Sequence, residues 1–214
     1  MTPGAEVPAV IEQLSDGCVR FVQQALNLPL DFTPETLPIL DHYVRERGRD
    51  GREEISELLA PATGAYFGEV VRRTMGYVRW HCPADDYDGF RLELEPFFLT
   101  FNPIGAAVEI IRQGKVAGPG AHFEVLDEAR ELLKETLNKH ARVPTEDYYT
   151  FTMRYEVLEQ VAEVLFALES ARKERNAGTS DPRSTGPPAA SRRSAVARPD
   201  LAGPSYRSSF GSVK

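Results

Sequence analysis

At 214 residues, 42% apolar and 27% charged, the chain is long enough to bury one sizeable core. The formal net charge of −7 is unevenly placed: from Asn176 onward six basic residues (Arg183, Arg192, Arg193, Arg198, Arg207, Lys214) stand against two acidic ones (Asp181, Asp200), so this tail carries +4 and residues 1–175 carry −11. An acidic body repels phosphate backbones and excludes nucleic acid as the expected partner; no apolar run approaches the ~20 residues of a membrane span, and Cys18 and Cys82 make neither a disulfide framework nor a zinc spacing.

The first helix is predicted over Glu6–Asn27, where Val7, Val10, Leu14, Cys18, Phe21, Val22, Ala25 and Leu26 recur at helical spacing. Glu6, Glu12 and Asp16 interrupt the apolar run that a signal peptide needs, so a cytoplasmic protein is expected. Cys18 lies on the apolar stripe and reads as a small core residue rather than a nucleophile. Thr33 and Pro34 form a cap and a first-turn proline, opening a second helix to about Arg47 that buries Leu37, Leu40 and Val44. Arg45–Glu54 is charged and punctuated by glycine, a solvated loop.

A third helix is expected from about Glu53 to Met75, with Ile55, Leu58, Leu59, Ala62, Tyr66, Val70 and Thr74 on one broad face. Pro61 should kink or split it. Ala60, Gly64 and Gly68 form a stripe of small residues, and two glycines inside a helix cost ~2 kcal/mol in propensity. The compensation expected is close approach of another element, the sheet or the first helix. Gly76 is the left-handed stop.

Three alternating runs follow. Val78, Trp80 and Cys82 alternate with Tyr77, Arg79 and His81; Phe90, Leu92 and Leu94 alternate with Arg91, Glu93 and Glu95; Phe97, Leu99 and Phe101 share one face. Alternation marks strands with one buried face, and the short connections predict an antiparallel meander. Asn102-Pro103 opens a helix over Pro103–Gln113 that buries Ile104, Ala107, Val108 and Ile111, and Val116–Gly120 is a loop. A helix over about His122–His140 carries Leu126, Ala129, Leu133 and Leu137 inward and pairs Glu135 with Lys139. The last helix is predicted to run unbroken from Thr145, its cap, to about Arg175. Its apolar face, which includes Phe151, Tyr155, Leu158, Val161 and Leu165, is wide enough to pack on more than one element or on a second copy of the chain as a homodimer. Residues 176–214 are rich in Ser, Pro, Gly, Ala and Arg and read as a disordered tail. The expected fold is therefore α+β: one globular domain over residues 1–175, with a three-stranded antiparallel meander covered by helices mostly on one face, a long C-terminal helix, and the tail.

No catalytic or phosphate-binding sequence pattern is present. Asp86, Asp88, Gly89 and Glu95 match part of a calcium loop, but its first ligand position holds Ala84, so an acidic hairpin turn is the better reading. His81 and Cys82 point to opposite faces of a strand and cannot share an ion, and with His42, His122 and His140 unpaired in spacing neither a metal nor a cofactor is expected. The amides of Gly105 and Ala106 open a helix and offer a generic anion site. Glu69, Arg72 and Arg73 stand at i, i+3 and i+4; beside the plain helix ion pair, they define with Arg79, His81 and Arg91 a candidate polar binding patch. In the tail, Arg192-Arg193-Ser194 suits a kinase, Tyr206 and Phe210 suit anchoring in a partner's groove, and attraction of the basic tail to the acidic body is a third reading.

The pattern G-A-Y-F-G-E-V-V-R-R at Gly64–Arg73, then Trp80, then F-N-P-I-G-A-A-V-E-I-I-R-Q-G at Phe101–Gly114 resembles a family of uncharacterised small bacterial α/β domains, over about residues 55–115. The resemblance implies a bacterial cytosolic protein with a helix–meander–helix core and implies no reaction or ligand. Three functions are in view: a non-catalytic binding or adaptor protein working through protein contacts, an immunity or regulatory protein that neutralises a partner, and a small enzyme using Glu69 and His81.

Overall fold

The computed structural model describes residues 6–48, 53–76, 78–83, 87–95, 99–116, 120–121, 123–125, 127–138 and 143–178. Its elements in chain order are α1 (Ala9–Leu26), α2 (Leu37–Gly48), α3 (Glu53–Thr74), β1 (Val78–His81), β2 (Arg91–Leu94), β3 (Leu99–Phe101), α4 (Pro103–Arg112), α5 (Asp127–Asn138), α6 (Thr145–Tyr148) and α7 (Phe151–Gly178).

Residues 62–71 of α3 are all buried, on every side of the helix. A helix with no wet face has to sit inside the other elements. Here α1 and α4 pack along its length, and α2 and β1 also touch it. Phe67 reaches Phe101 on β3 (ring centroids 6.1 Å apart) and Phe151 at the start of α7 (5.3 Å). One contiguous cluster of buried apolar side chains joins α1 to α5 and α7 through this helix. Pro61 does not end α3, which passes through it in a single run. One lost ladder bond is outweighed by the burial of the ten residues that follow. The expected inward face is corrected at Leu58, which is 76% exposed; the stripe enters the core one residue later, at Leu59.

The sheet is the expected antiparallel meander, in the order β1-β2-β3. Trp80 lies opposite Leu92, which lies opposite Phe101; Val78, Leu94 and Leu99 form the next rung, and all six are buried. Arg79, Glu93 and Thr100 make the intervening rung on the other face. Glu124 adds one more rung beyond β3: its N–H donates to the Thr100 carbonyl (2.9 Å) and its carbonyl accepts the Thr100 N–H (3.0 Å). That pairing explains why the helix expected from His122 begins only at Asp127. His122, Leu126 and Lys139 lie outside the described residues.

One expected helix start is corrected: Thr33 makes no side-chain cap, and Pro34–Thr36 form a 3-10 turn before α2 begins at Leu37. Asn27 closes α1 and Gly76 follows α3, both at positive φ. Asn102 caps α4, its Oδ1 accepting the Gly105 N–H (2.9 Å), while its Nδ2 donates to the carbonyls of Tyr87 and Asp88 (both 3.1 Å). Asp88 and Gly89 therefore sit in a short 3-10 turn tied to α4; Ala84 and Asp86 of the weighed calcium loop lie outside the described residues. The candidate anion site is closed. The Gly105 amide donates to the Asn102 Oδ1 (2.9 Å) and the Ala106 amide to the Asn102 carbonyl (3.0 Å), so both donors are already bonded within the helix cap.

The long C-terminal helix is present as α7, and only its expected start is corrected: Thr145 opens the separate short α6 and caps neither helix. The backbone leaves helical geometry at Tyr149, and Thr150 re-caps the chain by accepting the Met153 N–H (3.1 Å). Asp41 of α2 completes the new N-terminus. Its carboxylate accepts the N–H of Phe151 (2.6 Å), the N–H of Thr152 (3.1 Å) and the Thr152 hydroxyl (2.6 Å). Burial pushes the Asp41 carboxyl above the usual range, although those hydrogen bonds and the charge of Arg45 pull the other way. Asp41→Ala should destabilise the fold by about 1–2 kcal/mol, the cost of losing a helix cap, seen as a lower urea midpoint at unchanged slope. α7 then packs on both α2 and α5, and Arg154 ties it to α4 by donating to Glu109 (2.8 Å).

Candidate functional site

Two polar centres flank β1, one on each face. The covered centre is built on Glu69, which is 2% exposed. Its Oε1 accepts the Trp80 indole N–H (2.9 Å) and the Arg72 Nε–H (2.8 Å); its Oε2 accepts from Arg72 Nη2 (3.0 Å) and Arg73 Nε (3.3 Å). Burial alone would raise the Glu69 carboxyl, but the bonds from Arg72 and Trp80 and the charges of Arg72 and Arg73 hold it below the usual carboxylate range. The same bond raises Arg72. Gly68 makes the arrangement reachable: a Cβ there would overlap the edge of the Trp80 ring (Cζ2 and Cη2), and the indole N–H meets Glu69.

The network extends outward from Arg73, whose guanidinium lies 3.7 Å from the centre of the Phe32 ring. Phe32 stacks on Tyr66 (4.8 Å), and the Tyr66 hydroxyl accepts the Phe32 N–H (3.0 Å) and pairs with the Thr36 hydroxyl (2.7 Å). Phe32 is held at φ 63, an uncommon conformation for a bulky residue, which these contacts stabilise. A carboxylate with four donors has no lone pair directed at a free cavity. The centre fixes β1 and the α1–α2 connection to α3.

The open face carries the remaining patch residues, and here the expected patch is corrected. Arg79 and His81 point away from Trp80 because side chains alternate along a strand. Arg79 donates to Glu93 (2.8 Å) and pairs with Glu95 (3.2 Å); His81 stands across from Arg91, both exposed. Glu69, Arg72 and Arg73 thus cannot join Arg79 and His81 in one surface. A reaction using Glu69 and His81 together needs both to face one pocket, and the sheet separates them. Arg192, Arg193, Ser194, Tyr206 and Phe210 lie outside the described residues.

A groove of about 840 Å³ opens beside Arg79. Glu93, Glu95 and Thr100 line it from the sheet, Glu124 and the half-buried Val125 from the rung beyond β3, and Glu169 and Arg172 from α7; Leu94 and Leu99 border it but are themselves buried. Four carboxylates against two guanidinium groups leave its rim at −2. Apart from Arg79, none of these residues belongs to the patch expected from the sequence. Two smaller cavities, of about 370 and 340 Å³, flank Asp41 between α2 and the α6–α7 junction, where the carboxylate is already committed to capping α7. Among the described residues no helix is long and apolar enough to cross a membrane. No family model matches the chain, and neither a curated protein nor a solved structure matches it.

Proposed function

We propose that the chain is a binding or adaptor protein of the bacterial cytosol that works through protein contacts, and that the groove receives a basic, partly apolar segment of its partner. The observation that carries this reading is the groove itself: a rim of Glu93, Glu95, Glu124 and Glu169 beside the half-buried Val125. Complementary charge at the rim selects the partner and speeds encounter, and Val125 adds a small apolar contact. The same acidic excess, on a body of net −11, supports a second reading as an immunity or regulatory protein that masks a basic partner. Neutralisation of a co-encoded toxin separates the second from the first.

The test is photo-crosslinking in cells from benzoylphenylalanine placed at Val125. A partner adduct should fall at least tenfold in a Glu95→Lys/Glu124→Lys double variant and persist in Glu12→Lys, a reversal on the exposed side of α1. Equal adduct yields in all three proteins would rule out the groove as the docking site. Both groove positions are on the surface, where losing a charge pair changes stability by about 1 kcal/mol or less, so the variants should remain folded.

A further inference from the structure

We propose that residues 179–214 are the groove's own occupant in the absence of a partner, so that the chain competes with its partner for one site. This inference rests on the reading of the groove as a docking surface. Three observations point to it.

The first is position. α7 contributes Glu169 and Arg172 to the groove wall and continues to Gly178. Six residues of helix advance about 9 Å, so residue 179 starts close to the rim. Arg192 and Arg193 follow fourteen and fifteen residues after Gly178. A flexible segment of that length reaches about 20 Å, and Pro182, Pro187 and Pro188 can only extend it, so the span covers the groove.

The second is charge. Residues 179–214 carry six basic and two acidic side chains, while the rim carries four acidic and two basic ones. Arg79 is already engaged with Glu93 and Glu95, and Arg172 lies 3.7 Å from Glu169, so the rim's own cations do not cancel the excess. The third is tethering. Each contact of an exposed guanidinium with an exposed carboxylate is weak, but a short tether raises the local concentration to about the millimolar range. Weak pairing then suffices for occupancy.

The regulatory consequence is competition within one molecule. A partner has to displace the tail, and any change that lowers the tail's positive charge opens the groove.

The full chain is used for the test. A nitroxide is attached at position 191 through Ser191→Cys, in a Cys82→Ser background; Cys18 is buried and does not label. The amide signals of Thr100, Glu124 and Val125 should lose more than half their intensity, with those of Glu12 and Gln13 on α1 unchanged. At 1 M salt, where screening acts within about 3 Å, the signals should return, and Glu95→Lys/Glu124→Lys should restore them without salt. Absent broadening, uniform broadening, or broadening indifferent to salt and to the groove reversals overturns the proposal. In the crosslinking experiment, Arg192→Ser/Arg193→Ser should raise the partner adduct about threefold or more; an unchanged yield overturns the competition. Should groove reversals abolish the partner adduct while the label at 191 leaves the groove signals untouched, the tail inference fails alone. Should the label broaden the groove while no adduct depends on it, the partner reading fails and the tail contact stands.

Discussion

Glu69→Ala is expected to lower stability by about 3–5 kcal/mol, the range for removing one partner of a buried ion pair, with a matching fall in the urea midpoint. The loss is large because the carboxylate is the common acceptor for three side chains. Without it the Trp80 indole N–H, buried against α3, loses its acceptor, and Arg72, the less exposed of the two arginines, loses the carboxylate that offsets its desolvation. Glu69→Gln keeps one acceptor oxygen and should cost less, about 2 kcal/mol, because a neutral amide accepts more weakly and turns a donor toward Arg72. A structural effect should be shared with the partner: Trp80→Phe removes the indole donor, and the double variant Glu69→Gln/Trp80→Phe should cost less than the two single changes added together.

The pH dependence has a definite sign. The folded pKa of Glu69 lies below its ordinary value of 4.5, so its stabilisation is complete above that value and is lost as pH falls through the lowered folded pKa. The gap between wild type and Glu69→Gln should therefore be widest above pH 4.5 and close in acid. Asp41 works in the opposite direction. Its folded pKa is raised, so its ionisation weakens the fold as pH rises from the ordinary 3.8 through the raised value. The comparison of wild type with Glu69→Gln cancels the Asp41 contribution, since both proteins retain Asp41. A gap that is flat from pH 3 to 7 would show that Glu69 is not held as an ion.

Much of this frame was legible before any coordinates. Two glycines one turn apart in a helix asked for a close neighbour; Gly68 has the expected sheet in Trp80, whereas Gly64 has α4 in place of the sheet or α1, and alternation around the lone Trp80 put the ring on the buried face of a strand. A buried indole carries a donor and needs an acceptor. Glu69, next to Gly68, is the only carboxylate in the run that passes through the core, so the pairing of Glu69 with Trp80 had a signal that the i, i+3, i+4 spacing to Arg72 and Arg73 overshadowed. The re-start of α7 had one as well. Thr150 is a good cap, but Thr145 five residues earlier reads as equally good, and periodicity alone cannot say that Thr150 caps α7 while α6 opens on Pro144 with no side-chain cap. Asp41 left no local trace, because its partners are 110 and 111 residues away and an aspartate inside a helix reads as solvated. The groove is invisible for the same reason. Its walls come from β1, β2, β3, the residues after α4 and the far part of α7, and only folding brings these together.

Opposite outcomes are expected when two of the helical glycines are changed to alanine. Gly17 in α1 has nothing nearer than 4.0 Å to a new Cβ, so Gly17→Ala should stabilise the protein by about 1 kcal/mol through helix propensity. Gly64→Ala gains the same propensity and should still destabilise, by about 2 kcal/mol net once about 3 kcal/mol of overpacking is set against it. The difference lies in what each methyl meets. At Gly64 it falls 2.6 Å from Ile104 Cα, 2.8 Å from the Pro103 oxygen and 2.9 Å from the Ile104 nitrogen. All three are backbone atoms in the first turn of α4, and no rotamer change can move them. Nor can α4 slide as a unit. Its N-terminus is held by Asn102 to the carbonyls of Tyr87 and Asp88, Gly105 lies against Gly120, and Glu109 is bound to Arg154 of α7. Room for the methyl has to come from separating α3 and α4, which weakens the packing of Phe67 on Phe101 as well. In a chain of this length 1 kcal/mol moves Tm by about 2–4 °C, so the two variants should lie roughly 6–12 °C apart on either side of wild type. Equal shifts of the same sign would mean that α3 and α4 do not meet backbone to backbone at Gly64, and the seat of Trp80 beside it would have to be built differently.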